Sequence, residues 1–326
     1  MKNKIGYIVS LILLIIFFIW MFNDYNIKKN SIQEIEKTLT FNNEELVIRL
    51  YSNKLKEAKK VLNEVEKIYK EYNDLITNEE KNIENIYYLN NLPLTTTTLI
   101  DSKLYELIKY GVQLYDLTDG YININTGYLN KLWNSYYNKG VPSETELKNV
   151  NTNIKNVVLL DNNTIKQNGF NIDLSYIAVS YVTDIVVTYL KENNFYEYLI
   201  KTGGFTFTGN HYNNNNYKIG LLSADDTSIS DIISVTNKVV VTIDNKKDSY
   251  TYNNINYHSI IDPKTLYPAK SKSLILVTSN IKYSSAQAYA LFMSENKKYL
   301  TNDDACMWYK IDKSIIKSDL FSSYLE

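Results

Sequence analysis

The order of apolar and polar residues divides the chain into an apolar N-terminal segment and a larger part of mixed pattern. Residues 5–22 are predominantly apolar. As a helix this run is about 27 Å long, close to the roughly 30 Å thickness of membrane hydrocarbon, so it predicts a transmembrane helix. Residues 30–41 are polar and predict a stalk. The strict alternation of residues 45–51 predicts the first strand.

Four later segments have the patterns of helices. Residues 55–76 carry apolar side chains at helical spacing among lysines and glutamates. A second helix is predicted after Asp101 or Ser102, either of which is a suitable N-cap. The other two predicted helices are residues 176–192, directly after a strand, and residues 284–293.

Short alternating or β-branched runs predict the strands. Residues 156–160 and 164–175 predict a hairpin-like pair, and residues 195–210 predict a strand, a glycine turn and a return strand. Residues 211–218, HYNNNNYK, predict a solvated hairpin tip. Further strands are predicted at residues 216–222, 237–243, 249–254 and 273–279. Because helices and strands mix without strict alternation, we expect an α+β fold on a largely antiparallel sheet.

The N-terminus predicts the location of the protein. Lys2 and Lys4 precede the apolar run, and no small-x-small cleavage site follows it. This arrangement favours an uncleaved signal anchor, with the short lysine-bearing end in the cytoplasm and the bulk of the chain outside. The predicted organisation is an anchor over residues 1–29, a stalk over residues 30–41 and one domain over residues 42–326.

Charge and composition exclude several classes of partner and site. The chain has 35 basic and 36 acidic residues, so no overall field attracts it to nucleic acid. With one cysteine and two histidines, it has neither an internal disulfide nor a multi-cysteine or multi-histidine metal site. A bound metal would have to be a hard cation on oxygen ligands.

A series of motifs then points to one family. The segments TDGYININTGYLNKLW, NIDLSYIAVSYVTD, KTGGFTFTGN, HSIIDPKTLYP and YSSAQAYALFM occur in this order. Across roughly residues 42–310 the chain resembles the FAD:protein FMN transferase (ApbE) family. The resemblance implies an ApbE-like, T-fold-related domain with a mixed sheet and flanking helices. It also implies extracytoplasmic enzymes that use FAD and Mg²⁺ to attach FMN, through a phosphoester, to Thr or Ser of a target flavoprotein.

The first two motifs are where the resemblance places the flavin nucleotide. It implies that Tyr121, Ile122 and Asn123 face the flavin, with Asn123 at the position of a family aspartate. Asp173, at the entry to a helix, is expected to bind FAD. Val179 stands where the family has a cofactor-binding lysine, so a positive charge is missing there.

The next two motifs supply the expected catalytic and turn residues. Gly203 and Gly204 keep the Gly-Gly pair of a cofactor-binding turn. In HSIIDPKTLYP, His258 is the candidate acid or base. In the same segment Asp262 is the second catalytic candidate, although its position favours a role in fixing the turn, and Thr265 is expected to lie at the cofactor.

The last motif is where the resemblance places the metal, and here the residue types change. The main-chain carbonyl of Tyr176 falls at a magnesium-ligand position, Ser285 replaces the metal-binding aspartate and Tyr289 replaces a threonine. A serine hydroxyl does not replace the attraction of a carboxylate for a divalent cation. We therefore expect these side chains not to be competent for Mg²⁺.

Two functions remain open from the sequence. One is a divergent membrane-anchored FMN transferase that recruits metal through substitutes such as Asp173 or Asp184. The other is a non-catalytic relative that binds FAD or a partner flavoprotein at the membrane surface. A flavinylated electron carrier is disfavoured, because the acceptor sequence D-G-x-[ST]-G-A-[ST] does not occur in the chain.

Overall fold

A computed structural model describes residues 14–21, 31–222, 229–310 and 314–326. Residues 14–21 form helix α1, the part of the predicted transmembrane segment that lies inside the described residues. The rest of the predicted anchor, residues 1–13 and 22–29, lies outside them. Within these ranges, none of the helices combines the length and the apolar character needed to cross a membrane.

Most of the sheet structure is one large antiparallel sheet. The strands are β1 Gln33–Phe41, β2 Glu44–Ser52, β3 Thr97–Leu99, β4 Val157–Leu160, β5 Thr164–Gln167, β6 Tyr198–Thr202, β7 Phe205–Thr208, β8 Tyr217–Leu222, β9 Ile229–Val235, β10 Val239–Asp244, β11 Tyr250–Tyr252, β12 Ile255–Tyr257, β13 Ser271–Thr278, β14 Ala305–Lys310 and β15 Ile315–Lys317. Eight of them form a sheet in the order β1-β2-β6-β7-β10-β13-β14-β15. All seven neighbouring pairs are antiparallel, which confirms the predicted sheet type.

Two predictions about polar segments are wrong. Strand β1 covers most of the predicted stalk and pairs with β2 along its whole length. Its residues Ile35 and Leu39 pack against the core, so the domain begins before residue 42. Residues 211–218 are not a hairpin tip, because they connect β7 in the large sheet to β8, which pairs with β9 in a separate sheet.

The remaining strands form two small sheets. Strands β3, β4 and β5 make a three-stranded sheet in the order β3-β5-β4, and β11 pairs with β12. The predicted hairpin-like pair is present as β4 and β5, although β5 ends at Gln167.

The longer helices agree closely with the predicted segments. They are α2 Leu55–Ile76, α3 Ile86–Asn90, α4 Ser102–Leu117, α5 Gly127–Ser135, α6 Glu144–Lys148, α7 Ser175–Glu192 and α8 Ser284–Ser294. Asp101 is the N-cap of α4, and its side chain accepts a hydrogen bond from the Lys103 backbone N–H. This assigns the cap to one of the two residues that the sequence left open.

The main core lies between one face of the large sheet and helices α2, α4, α7 and α8. Leu46, Ile48 and Leu50 of β2 point into it at every second residue, as the alternation predicts. The other face of the sheet is covered by the β8–β9 sheet and the short helical turn Asp319–Tyr324. Helices α7 and α8 pack against each other, and the segment that precedes β13 contacts the first turn of α7 and the last turn of α8.

Candidate functional site

The start of α7 places a fixed carboxylate between two loops. The backbone N–H of Asp173 donates to the Ile124 carbonyl at 2.8 Å. Its carboxylate accepts from the Ser175 N–H at 2.8 Å and from the Asn130 amide at 2.7 Å. Asp173 is therefore held in one orientation by neutral donors, at the junction where the resemblance places FAD.

Two of the three residues predicted to face the flavin, in the loop before α5, are buried inside the protein. Ile122 is 1 % exposed and belongs to the core. Asn123 is buried, and its side chain donates to the Thr152 carbonyl at 2.7 Å and accepts from the Asn125 N–H at 2.9 Å. The Ile122 and Asn123 side chains therefore hold the loop, and the prediction that both face the flavin is not supported by their positions. Tyr121 is only partly buried.

A charged and aromatic cluster surrounds Tyr121. The Lys264 ammonium lies 3.8 Å from the centre of the Tyr121 ring, which is a cation–π distance. Tyr299 packs edge-on against the same ring and donates a hydrogen bond to Asp119 at 2.7 Å. Asp119 also pairs with Lys298, and these two hydrogen bonds, the Lys298 bond first, lower the pKa of its carboxyl. This cluster joins the first motif to the HSIIDPKTLYP segment.

His258 is a buried neutral side chain whose two ring nitrogens are both engaged. It is 4 % exposed. Its Nε2 bonds to the Ala269 carbonyl at 2.9 Å, and its Nδ1 accepts from the Ile260 N–H at 3.3 Å. Because a carbonyl only accepts, the proton sits on Nε2. Burial lowers the pKa of His258, which keeps the ring neutral. In this geometry His258 anchors the turn, and an acid–base role requires its Nε2 or Nδ1 bond to break.

The turn after His258 is fixed as the sequence predicts. Asp262 accepts from the Lys264 N–H at 2.8 Å through its side chain and from the Leu266 N–H at 2.8 Å through its carbonyl. The Trp133 indole donates to the Leu266 carbonyl at 2.9 Å. Thr265 is exposed at the tip of this turn. Asp262 therefore shapes the turn, and Thr265 is accessible to a ligand.

The first turn of α7 and the second turn of α8 meet through two tyrosines. The rings of Tyr176 and Tyr289 are stacked, with centres 4.3 Å apart and planes 30° apart. The Tyr176 hydroxyl donates to the Ser259 carbonyl at 3.1 Å and accepts from the Ile261 N–H at 3.3 Å. Burial, and then the charge of Asp173, raises the pKa of Tyr289 to about 12, so its phenol is neutral at ordinary pH. The two helices and the His258 segment are thus joined by one aromatic contact.

Ser285 lies one helical turn before Tyr289 on the same face of α8. It is 1 % exposed, and its hydroxyl has no hydrogen-bond partner among the described residues. Such a buried unpaired hydroxyl is unusual and costs free energy. Val179, on α7, is part of the core, so its side chain does not replace the missing lysine.

The donor set at the family's metal positions does not fit Mg²⁺. Tyr176 offers only its carbonyl, Ser285 a neutral hydroxyl and Tyr289 a neutral phenol, whereas Mg²⁺ prefers octahedral oxygen ligands that include carboxylates. Asp173 and Asp184 are separated by 11 residues, about 16 Å along a helix, so they do not hold one ion together. Within the described ranges, no three His, Cys, Asp or Glu side chains are grouped as a metal site.

The glycine pair has a packing role. Gly203 has φ +50° in the β6–β7 turn, a conformation that glycine adopts without strain. A Cβ on Gly204 would lie 1.9 Å from the Thr242 carbonyl oxygen of β10, so only glycine fits there. Gly203 and Gly204 thus contact Glu44 and Thr242, which are not among the predicted site residues.

Sequence reasoning missed three residues that the fold brings to this region. They are Asn130, which orients Asp173, Lys264, which covers Tyr121, and Tyr299, which links the cluster to Asp119. Lys264 lies inside a quoted motif, but at a position the motif leaves free.

One surface depression, between α2 and the end of α7, is lined by Val61, Lys67 and Tyr189 and by none of the predicted site residues.

Comparison with known proteins gives consistent results. The ApbE family model matches residues 37–304. A FAD:protein FMN transferase of Vibrio cholerae is 23% identical over 226 residues, which cover 66% of this chain and 67% of that protein. A FAD:protein FMN transferase of Klebsiella pneumoniae is 24% identical over 231 residues, covering 68% of this chain and 70% of that protein.

Solved structures show the same fold. The ApbE protein of Thermotoga maritima superposes with a TM-score of 0.79 at 21% identity and covers 90% of this chain and 100% of its own. The flavin transferase ApbE of Vibrio cholerae superposes with a TM-score of 0.74 at 19% identity, with the same coverage.

Proposed function

Since this chain belongs to the ApbE family, we propose that it binds a flavin nucleotide as its relatives do but has lost metal-dependent transfer of FMN. The observation that carries the proposal is the Tyr176–Tyr289 stack, together with the neutral Ser285, at the family's metal positions. Phosphoryl transfer from a pyrophosphate relies on a metal to neutralise developing charge. The chain thus has the fold of the family without the charged oxygen donors that metal-dependent transfer would need.

Binding of the nucleotide is supported by the two loops that the resemblance assigns to it. They meet at the contact between Lys264 and the Tyr121 ring, beside the exposed Thr265. Lys264 forms no ion pair within the described part of the chain, so its charge is available to a phosphate. Asp173 is held at the entry of α7, where the resemblance expects FAD.

Loss of transfer is supported by the state of the remaining reactive groups. His258 has both nitrogens in hydrogen bonds and is neutral. The carboxylate of Asp173 is already occupied by two neutral donors. No side chain at the three metal positions carries a negative charge.

The test uses the full chain in detergent. Flavin fluorescence is first titrated to measure binding of FAD. The chain is then incubated with FAD, Mg²⁺ and an acceptor flavoprotein, and covalent flavin is read from fluorescence of the denatured acceptor. The Vibrio cholerae transferase with the same acceptor is the positive control.

We expect bound FAD without covalent transfer. Transfer that disappears in His258→Ala and Asp173→Ala contradicts the loss of activity and favours a divergent transferase. Absence of FAD binding contradicts the flavin-binding part of the proposal and leaves binding of a partner flavoprotein to be measured.

We also propose that residues 5–22 anchor the chain in a membrane, with the bulk outside the cytoplasm. Helix α1 supports this, because its apolar side chains are exposed, with Phe17 53% and Trp20 61% accessible. Fractionation of cells, followed by protease treatment of intact and lysed spheroplasts, tests it. Recovery in the soluble fraction, or protection from protease in intact spheroplasts, contradicts it.

A further inference from the structure

We propose that the stacked rings of Tyr176 and Tyr289 take the place of a divalent cation in this site, so that the chain binds its ligand without a metal. This inference rests on the proposed function, because it concerns how the same site is held together.

The pair connects three parts of the chain. Tyr176 lies in the first turn of α7 and Tyr289 lies in α8, so their stack ties the two helices together. The Tyr176 hydroxyl also contacts Ser259 and Ile261, which follow His258 in the chain. Three separate parts of the chain therefore meet at one aromatic contact.

The charge of the region agrees with this substitution. Burial is the main reason why the pKa values of Tyr176 and Tyr289 are raised, and the charge of Asp173 adds to the rise at both rings. Asp173 accepts hydrogen bonds from Asn130 and Ser175, which stabilise a single negative charge without a counter-ion. With Ser285 neutral, Asp173 is the single charged group among Asp173, Tyr176, Ser285 and Tyr289, and Mg²⁺ prefers a fuller set of carboxylate and other oxygen ligands.

The Ser285 hydroxyl, which has no partner among the described residues, is a buried polar group one helical turn before Tyr289. Ser285 and Tyr289 are four residues apart in α8, so their side chains lie one above the other on the same helix face. A carboxylate at position 285 would therefore point towards the space that the Tyr289 ring occupies. Removing the ring and adding that carboxylate should therefore supply a charged oxygen donor for a divalent cation at this position.

The experiment measures binding of Mn²⁺ by the loss of its free electron paramagnetic resonance signal. Full chain is compared with Ser285→Asp/Tyr289→Thr and with the matched control Ser285→Asn/Tyr289→Thr, which has the same shape without the charge. FAD binding to the wild type is titrated in EDTA and in Mg²⁺. We expect at least tenfold tighter Mn²⁺ binding by the Asp variant than by the other two chains, and the same FAD affinity in both buffers.

The inference is overturned by Mn²⁺ binding to the wild type that Ser285→Ala or Asp173→Ala abolishes, or by FAD binding that requires Mg²⁺. It is also overturned if the Asp variant binds no more Mn²⁺ than the Asn control, or stays unfolded even in Mn²⁺ while the Asn control folds.

An Asn control that is itself unfolded shows that the Tyr289 ring is essential for folding. The comparison then moves to Ser285→Asp/Tyr289→Phe in Mn²⁺, where we expect no binding. A wild type that binds no FAD in either buffer contradicts the proposed function, whereas the Mn²⁺ comparison is independent of FAD.

Discussion

Two sides of the same site differ in how their polar groups are used. The turn side consists of residues 118–127 and 258–269, and the helix side consists of residues 175–179 of α7 and 284–289 of α8. On the turn side, the side chains of both His258 and Asp262 form hydrogen bonds within the chain. On the helix side, two aromatic rings are stacked and the Ser285 hydroxyl is unpaired among the described residues. The polar groups of His258 and Asp262 thus shape the backbone of the turn side, whereas the helix side is held by the contact between two rings.

Within three turns, helix α8 contains both residues of the main core and the two positions where the resemblance places metal ligands. Leu291 and Phe292 are fully buried and pack in the main core between the helices and the large sheet. Tyr289 lies on the face that meets α7, and its ring also packs against this core. Helix α8 therefore contributes to the core packing although Ser285 and Tyr289 lack the charged oxygen donors that a divalent cation needs.

The largest expected effect tests whether the turn side is structural. Trp133→Ala removes a buried ring and the indole hydrogen bond to the Leu266 carbonyl. We expect a loss of about 3–5 kcal/mol in the free energy of unfolding, measured by urea denaturation. Trp133→Phe keeps most of the packing and should lose about 1–2 kcal/mol. If Trp133→Ala changes ligand affinity but leaves stability unchanged, the turn side is a binding surface and the comparison fails.

A second prediction concerns pH and the buried imidazole. Burial lowers the pKa of His258 below the roughly 6.5 of an exposed histidine. Since the unfolded chain takes up a proton more readily, the stabilising contribution is complete above pH ~6.5. It is lost as the pH falls through the lower pKa of the folded state.

Thermal melts at several pH values between 8 and 4 test this sign. The wild type should lose more stability across that range than His258→Gln, which has no imidazole to protonate. His211→Gln is the matched control, because it leaves the buried ring in place. Equal slopes for the wild type and His258→Gln would contradict the assignment of His258 as a buried neutral anchor.

The sequence predicted most of the helices and the sheet type because those elements depend on local periodicity. Helix α2 has the predicted bounds, and α8 extends one residue beyond them. Strand β1 was missed although Ile35, Leu39 and Phe41 are spaced for one sheet face. The lysines and glutamates between them made the segment look like a solvated stalk, and only pairing with β2 reveals it as a strand.

The candidate site was less predictable because its contacts join distant parts of the chain. The motif positions identified the loops and the loss of the metal aspartate. They did not reveal that Tyr176 and Tyr289, more than 100 residues apart, fill the space with stacked rings. The burial of Ile122 and Val179 was likewise invisible, since an apolar residue in a motif fits either a ligand or the core.

A smaller effect should separate the two functions of Tyr176. Tyr176→Phe keeps the ring stack but removes the hydroxyl that contacts Ser259 and Ile261. We expect a loss of about 1 kcal/mol in unfolding free energy and faster proteolysis within residues 258–269, read by mass spectrometry of the fragments. Tyr289→Phe is the control, because its ring can stack without any change at those two residues. Equal proteolysis in both variants would show that the hydroxyl does not hold the turn side to the helix side.

The smallest effect has the opposite sign and isolates the helix side. Ser285→Ala deletes a buried hydroxyl that has no partner among the described residues. Removing an unsatisfied polar group is expected to leave stability unchanged or raise it by up to about 1 kcal/mol. The measurement is urea unfolding of the chain without ligand, with Ser284→Ala as the control, because the Ser284 hydroxyl donates to the Ile281 carbonyl at 2.8 Å and its loss should be destabilising. A Ser285→Ala variant less stable than Ser284→Ala would mean that the hydroxyl is satisfied, and the contrast between the two sides of the site would then disappear.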